Sequence, residues 1–301
     1  MLELRNDKPI ASLAPQVAQA IQLLRGEHEA EVLDFLSAHP LLTFVMTGWI
    51  KDNGLVSELN RGTFYASRNG RGDLDGVALI GHVTVVETNS EASMSRFAEL
   101  TRNCPSSFVV MGEERRIDQF MKYFNPEKPR SNQGCRELLF EQRSREHCET
   151  PIPSLRRATL DEVNLVAPVH AQMAFEESGV NPLEVDAEGF RNRCARRIQQ
   201  GRVWVCIENG QLLFKADVVS DLAEVNYLEG IFVRPEDRGK GFGPACLRQL
   251  TNLLLARTKS VCLLTKEEAT AAQSCYLKAG YKVREHYKTV FLEQNSNEAE
   301  N

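Results

Sequence analysis

The sequence predicts an α/β chain of the α+β type, folded as two mixed-sheet domains in tandem. Three observations lead there. The 301 residues make about two ordinary domains, at roughly 150 residues each. Hydrophobic residues are 42% and charged residues 26% of the chain, a globular balance with enough apolar material for a sizeable core. Strand-length and helix-length segments interleave in both halves, and a polar run over residues 141–149 leads to Pro151 and Pro153. Proline biases its predecessor to extended geometry, so this stretch reads as a linker. The expected domains are residues 1–150 and 154–295.

In the second half, residues 155–158 form a short strand. Thr159 with Glu162 fits a capping box that opens a helix to about residue 175. A loop over 176–182 and a second helix over 186–200, stopped by Gly201, follow. Residues 203–208 alternate in polarity and run into Asn209-Gly210, a hairpin signal because both turn positions need positive φ. The return strand covers 211–219. A longer strand over 223–233 is interrupted by Gly230, which marks a bulge or a close backbone approach. A helix to about 258, a strand at 261–264, a helix at 270–279 and strands at 281–283 and 288–292 complete the half. The first half shows a helix at 31–36, strands at 63–66 and 77–86, a helix at 92–103, a strand at 107–111, a helix at 114–124 and a strand at 137–140. Its order strand, helix, strand, helix, strand matches the second half from residue 223 onward, without a residue-by-residue repeat.

Composition excludes several classes. Lys plus Arg is 36 against 41 for Asp plus Glu, a net charge of −5. No basic excess supports a general grip on nucleic acid. The longest apolar runs, at 77–80 and 253–256, are far too short to span a bilayer. The first seven residues lack a signal-peptide profile. None of the eight cysteines sits in a C-x-x-C pair or a zinc-spaced cluster, so reduced thiols, a cytoplasmic location and no metal are expected.

The sharpest local feature is Arg238-Gly239-Lys240-Gly241-Phe242-Gly243, between a strand and a helix. Its glycines let backbone N–H groups approach a ligand, and the helix dipole with Arg238 and Lys240 suits a pyrophosphate. Pro244, in the first helical turn, has no N–H to waste there. A Walker A loop fails because Gly239-Lys240 is followed by Gly241. A dinucleotide fingerprint fails because Pro244 stands at its third glycine and the preceding strands are a hairpin, hence antiparallel.

The pattern resembles the coenzyme A loop of the GNAT acetyltransferases, Arg/Gln-x-x-Gly-x-Gly/Ala, at Arg238, Gly241 and Gly243. It extends upstream through Ile231, Phe232, Val233, Arg234 and Pro235, and downstream to Tyr276, Gly280 and Tyr281. Ala269 stands where the family commonly has Asn. The resemblance covers roughly residues 154–292. Residues 175–182 with Phe214-Lys215-Ala216-Asp217 are similar to a bacterial GNAT subfamily carrying an N-terminal domain of unknown function. The first half would be that domain, GNAT-like in fold but without the cofactor loop, since residues 87–91 contain no glycine.

The resemblance implies direct acetyl transfer from acetyl-CoA, the co-substrate, to a small-molecule or protein amine in a ternary complex. It assigns cofactor binding to Ile231, Phe232, Val233, Arg238, Gly239, Lys240, Gly241, Phe242 and Gly243, and the general acid to Tyr276. Glu229, just before the bulge, is the candidate general base, with Glu224 as alternative. Glu176, Glu177 and Asn181 would wall the acceptor site; an acidic solvated loop is the plain alternative. Lys215 is either a surface lysine or a groove residue. His170 and Pro168 read as structural, and the arginines at 191, 193, 196 and 197 as a solvated face. A non-catalytic acyl-CoA-binding sensor is the competing function.

Overall fold

The computed structural model describes residues 21–126, 134–148 and 151–292. The first twenty residues, linker positions 149 and 150 and the tail from 293 lie outside the described residues. The first half contains β1 (Ile21–Leu23), α1 (Glu29–Ser37), α2 (Pro40–Asn53), β2 (Gly62–Arg68), β3 (Leu74–Gly81) and β4 (Val83–Thr88). It continues with α3 (Glu91–Arg102), β5 (Val109–Glu113), α4 (Glu114–Phe124) and β6 (Gly134–Gln142). The second half contains β7 (Leu155–Arg157), α5 (Val163–Ser178), α6 (Pro182–Val185), α7 (Ala187–Gln199), β8 (Val203–Glu208) and β9 (Gln211–Asp221). It ends with β10 (Val225–Val233), α8 (Phe242–Leu254), β11 (Ser260–Lys266), α9 (Thr270–Ala279) and β12 (Lys282–Phe291).

Local chemistry explains these elements. The Thr159–Glu162 capping box is present and opens a 3-10 turn that passes into α5. Asn209 and Gly210 adopt φ of 50° and 73°, the two positive values a tight right-twisted hairpin requires. In α4, Ile117, Phe120 and Met121 are buried at helical spacing, and the Glu113 carboxylate caps the Arg115 and Arg116 N–H groups at 3.1 Å.

Four expectations are corrected. The run at 77–86 is two strands, because the chain reverses between Gly81 and Val83 and β3 pairs antiparallel with β4. The two closing strands are one, β12, with a register shift between Val283 and Glu285. The polar run from 141 is still strand at its start: Glu141 in β6 is 1% exposed and pairs with Arg143 and Arg284 at 2.8 and 2.9 Å. Helix α2, unassigned from sequence, buries Phe44, Met46 and Ile50. Its mixed pattern hides the period because α2 is covered on more than one side.

Among the described residues, twelve strands form one mixed sheet in the order β1-β2-β3-β4-β5-β12-β6-β11-β10-β9-β8-β7. Each half carries one parallel pair, β4 with β5 and β10 with β11. The segment β4-α3-β5-α4-β6 thus repeats β10-α8-β11-α9-β12, as the sequence predicts. The last strands are exchanged: β6 pairs with β11 of the second half, and β12 pairs with β5 of the first. Both fold into the other half's sheet before pairing with each other.

The exchange joins the cores. Phe140 of β6 packs with Phe214, Leu247, Leu263, Tyr276 and Tyr281 under α8 and α9. On the opposite face, Phe44 of α2 meets Tyr227 of β10 with ring centroids 4.4 Å apart. The Ser220 hydroxyl donates to the Phe44 carbonyl at 3.1 Å, directly beside Gly48.

Candidate active site

The glycine loop sits where β10 hands over to α8. Gly239 and Gly241 adopt φ of 76° and 81°, which other residues rarely reach, and open space lies where their side chains would be. Gly243 has a different reason: a Cβ there would stand 2.8 Å from the Val233 side chain, so its absence lets α8 pack onto β10. No side chain caps α8 at Gly241, and Pro244 is the third helical residue. The first-turn N–H groups have no intrahelical acceptor, which makes this end an anion cradle. Arg238, Gly239, Lys240 and Gly241 are exposed, and the Arg238 Nε donates to the Val233 carbonyl at 2.9 Å.

Upstream, β10 carries the expected bulge. Register runs Glu229 opposite Asp217, then Phe232 opposite Lys215, so Gly230 and Ile231 face one residue of β9. Gly230 has φ of 59°. Parallel neighbour β11 pairs with β10 from Val225 to Leu228, and Glu229 to Val233 extend beyond that pairing. Backbone groups of Ile231 to Val233 are thereby released on one side.

Tyr276 lies on α9, 7% exposed, with Phe140 edge-on at 5.6 Å. Burial holds its phenol above its ordinary range, and the neighbouring Thr265 partly opposes that. It is a neutral O–H at pH 7.

Three carboxylates converge on the α2–α5 face: Glu229 of β10, Glu177 of α5 and Glu137 of β6. Burial raises the pKa of Glu137, against a 3.0 Å bond from Thr289, and repulsion from Glu229 and Glu177 adds to it. Glu177 keeps an exposed surface, yet desolvation by the groups packed around it raises its pKa, with Glu229 the next cause. Tyr227 is held well above its usual range by burial and then by Glu229. Lys266 partly offsets the charge on Glu137 and Glu177.

The helix α5 reaches Ser178, where Gly179 in the left-handed region donates its N–H to Phe175 O at 2.8 Å. Glu176 and Glu177 therefore occupy its last turn rather than a loop, an unfavourable place for carboxylates beside the negative helix end. Glu176 is exposed and accepts from Gln172 at 2.9 Å. Asn181 is committed elsewhere: its side chain caps α6 at the Leu183 N–H and donates to Glu184. Glu224 is not with this group; it pairs with Lys259 at 2.8 Å, beyond the far end of β10. Lys215 is fully buried.

Sequence reasoning misses Glu137 and Lys266. Their strands look ordinary in sequence, and strand exchange is what carries Glu137 into the second half. Among the described residues, no group of three His, Cys, Asp or Glu side chains has metal-holding geometry, and no helix is long and apolar enough to cross a membrane.

Residues 199–283 match the family model for the acetyltransferase (GNAT) domain. That span begins at the end of α7 and includes the bulge, the glycine loop and Tyr276. Solved structures share the fold over 90–92% of the chain. A Drosophila protein is 13% identical with a TM-score of 0.63, covering 92% of this chain and 100% of its own. A GCN5-related N-acetyltransferase from Sphaerobacter thermophilus is 10% identical at 0.58, covering 91% and 95%. A tandem GNAT protein from the clavulanic acid biosynthesis pathway is 14% identical at 0.55, covering 90% and 98%. No curated protein matches the chain in sequence.

Residues 199–283 thus match a GNAT acetyltransferase domain, within two α/β halves that share the fold of a tandem GNAT protein. This is a fold that supports acetyl transfer.

Proposed function

We propose that the chain is an acetyl-CoA-dependent N-acetyltransferase acting on a cationic amine, with the chemistry in residues 154–295 and the supporting half in 1–150. The observation that carries this reading is the Gly230 bulge leading directly into the uncapped start of α8. The α8 amides with Lys240 hold the pyrophosphate, and the freed edge at Ile231, Phe232 and Val233 holds the pantetheine arm and the thioester oxygen.

Glu229, Glu177 and Glu137 draw in a protonated amine and orient it. Glu229 accepts the amine proton, directly or through water. Tyr276, held neutral by burial, gives a proton to the departing thiolate. Transfer is direct. Cys275, the thiol nearest the loop on α9, is pushed up to about 11 by burial, so it offers little thiolate for a covalent intermediate. The acceptor is a small molecule or an exposed protein amine, and no nucleic acid or membrane partner is required.

The experiment is release of free coenzyme A thiol on mixing with acetyl-CoA and a panel of diamines, polyamines, amino acids and peptides. Turnover with cationic amines is expected. Tight acetyl-CoA binding without turnover on any acceptor would make the protein a sensor instead.

A further inference from the structure

Lys215 is the one lysine of β9, and its ammonium is 0% exposed. It donates to Asp217 Oδ2 at 2.8 Å and to the Gly230 carbonyl at 3.2 Å. Asp217 is itself 1% exposed. Its Oδ2 also faces His170 Nδ1 at 3.5 Å and Arg197 at 3.6 Å, while Oδ1 has no partner among the described residues. A buried ion pair is a poor way to gain stability, because desolvating both charges offsets most of their attraction. Apolar residues of similar size would serve the core as well. What they would not do is hold a backbone carbonyl.

That carbonyl lies in the bulge, where the register shift takes it out of the β9–β10 ladder. A buried carbonyl without a partner is costly, so Lys215 fixes its direction. The peptide joining Gly230 to Ile231 is planar and trans, and its N–H points opposite to its C=O. Lys215 and Asp217 lie on the face covered by α5 and α7, where His170 and Arg197 reach them. Their neighbours Phe214 and Ala216 pack on the other face, with α8 and with Tyr276. Holding the carbonyl on the α5 side aims the Ile231 N–H toward the Tyr276 side. Gly230 is part of the device, since a Cβ there would come within 2.8 Å of the Lys215 Nζ.

We propose that the buried Lys215–Asp217 pair is a positioning device that locks the Gly230–Ile231 peptide, so that the Ile231 N–H is preset to receive the thioester oxygen. The inference rests on the acetyltransferase reading, and its test separates the two.

In the full chain, Lys215→Met keeps the length of the side chain and removes the donor. The expected kcat for acetyl transfer falls roughly 20- to 100-fold, in line with loss of one oriented oxyanion donor. The Kd for free coenzyme A, read by calorimetry, stays within about threefold because the pyrophosphate cradle is untouched. Hydrogen exchange of the peptide covering residues 228–233 quickens about tenfold as the bulge is released. If Lys215→Met does not fold, Asp217→Asn is measured the same way, with a smaller loss of kcat and the same local rise in exchange expected. Unchanged kcat and exchange in a folded variant would overturn the proposal, as would equal loss of kcat and coenzyme A affinity. Wild-type protein that never turns over, yet shows the exchange difference, would remove the enzymatic reading and leave the lock standing.

Discussion

Tyr276 of α9 stands edge-on to Phe140 of β6, with ring centroids 5.6 Å apart and planes at 72°. The proposed acid thus packs on a residue of the other half, delivered by strand exchange. Removing the phenolic hydroxyl alone leaves that packing intact. Tyr276→Phe should lower kcat by roughly 100-fold, the usual scale for a positioned general acid, with acetyl-CoA affinity unchanged. Steady-state kinetics beside calorimetry checks both halves of this statement.

The same exchange makes the second half dependent on the first. A chain starting at residue 151 lacks β6, which exposes the edge of β11 and uncovers the cluster around Tyr276. Such an edge is a template for aggregation. The truncated chain should be insoluble, while Phe140→Ala in the full chain should cost about 3–5 kcal/mol. Denaturant titration measures the second value.

His170 supplies a pH signature. Burial, with repulsion from Lys215 and Arg197 and against attraction from Asp217, lowers its pKa from 6.5 to about 4. The unfolded chain therefore takes up a proton below pH 6.5 that the native chain refuses until pH 4. Stability from this site is full above pH 6.5 and declines as pH falls toward 4, by ~3 kcal/mol at most. Glu137, raised by burial, works in the opposite sense: it weakens the fold as pH rises above the ordinary carboxylate range. His170→Gln should flatten the first slope, read as the difference in unfolding free energy between pH 7 and 5.

Helix α9 begins at Ala269 without a side-chain cap. Asn at this position accepts from a first-turn N–H, so Ala269→Asn should stabilise the protein by about 1 kcal/mol and raise Tm by about 2 °C. A thermal melt suffices.

The sequence reports local features well. The capping box at Thr159, the Asn209-Gly210 turn, the limits of the helices at 114–124 and 270–279 and the bulge at Gly230 all follow from contacts within a few residues. The glycine loop is legible for the same reason: φ of 76° and 81° is a property of single positions. What escapes is long-range. Nothing near Glu137 announces that β6 crosses into the other sheet, and nothing near Lys215 announces the carbonyl of Gly230, 15 residues on. Helix α2 is hidden because Phe44 faces the second half while Met46 and Ile50 face the first, which blurs its polar side. The loop assigned to Glu176 and Glu177 is helix because the stop lies at Gly179.

The central claim is that the bulge and glycine loop bind acetyl-CoA for transfer to a cationic amine. Rapid mixing of the full-length protein with acetyl-CoA and a diamine, reading free thiol, tests it most directly. The account predicts stoichiometric thiol and acetylated amine, both lost when Gly241→Val blocks the loop. Absence of acetyl-CoA binding, or thiol release that ignores the amine, would contradict it.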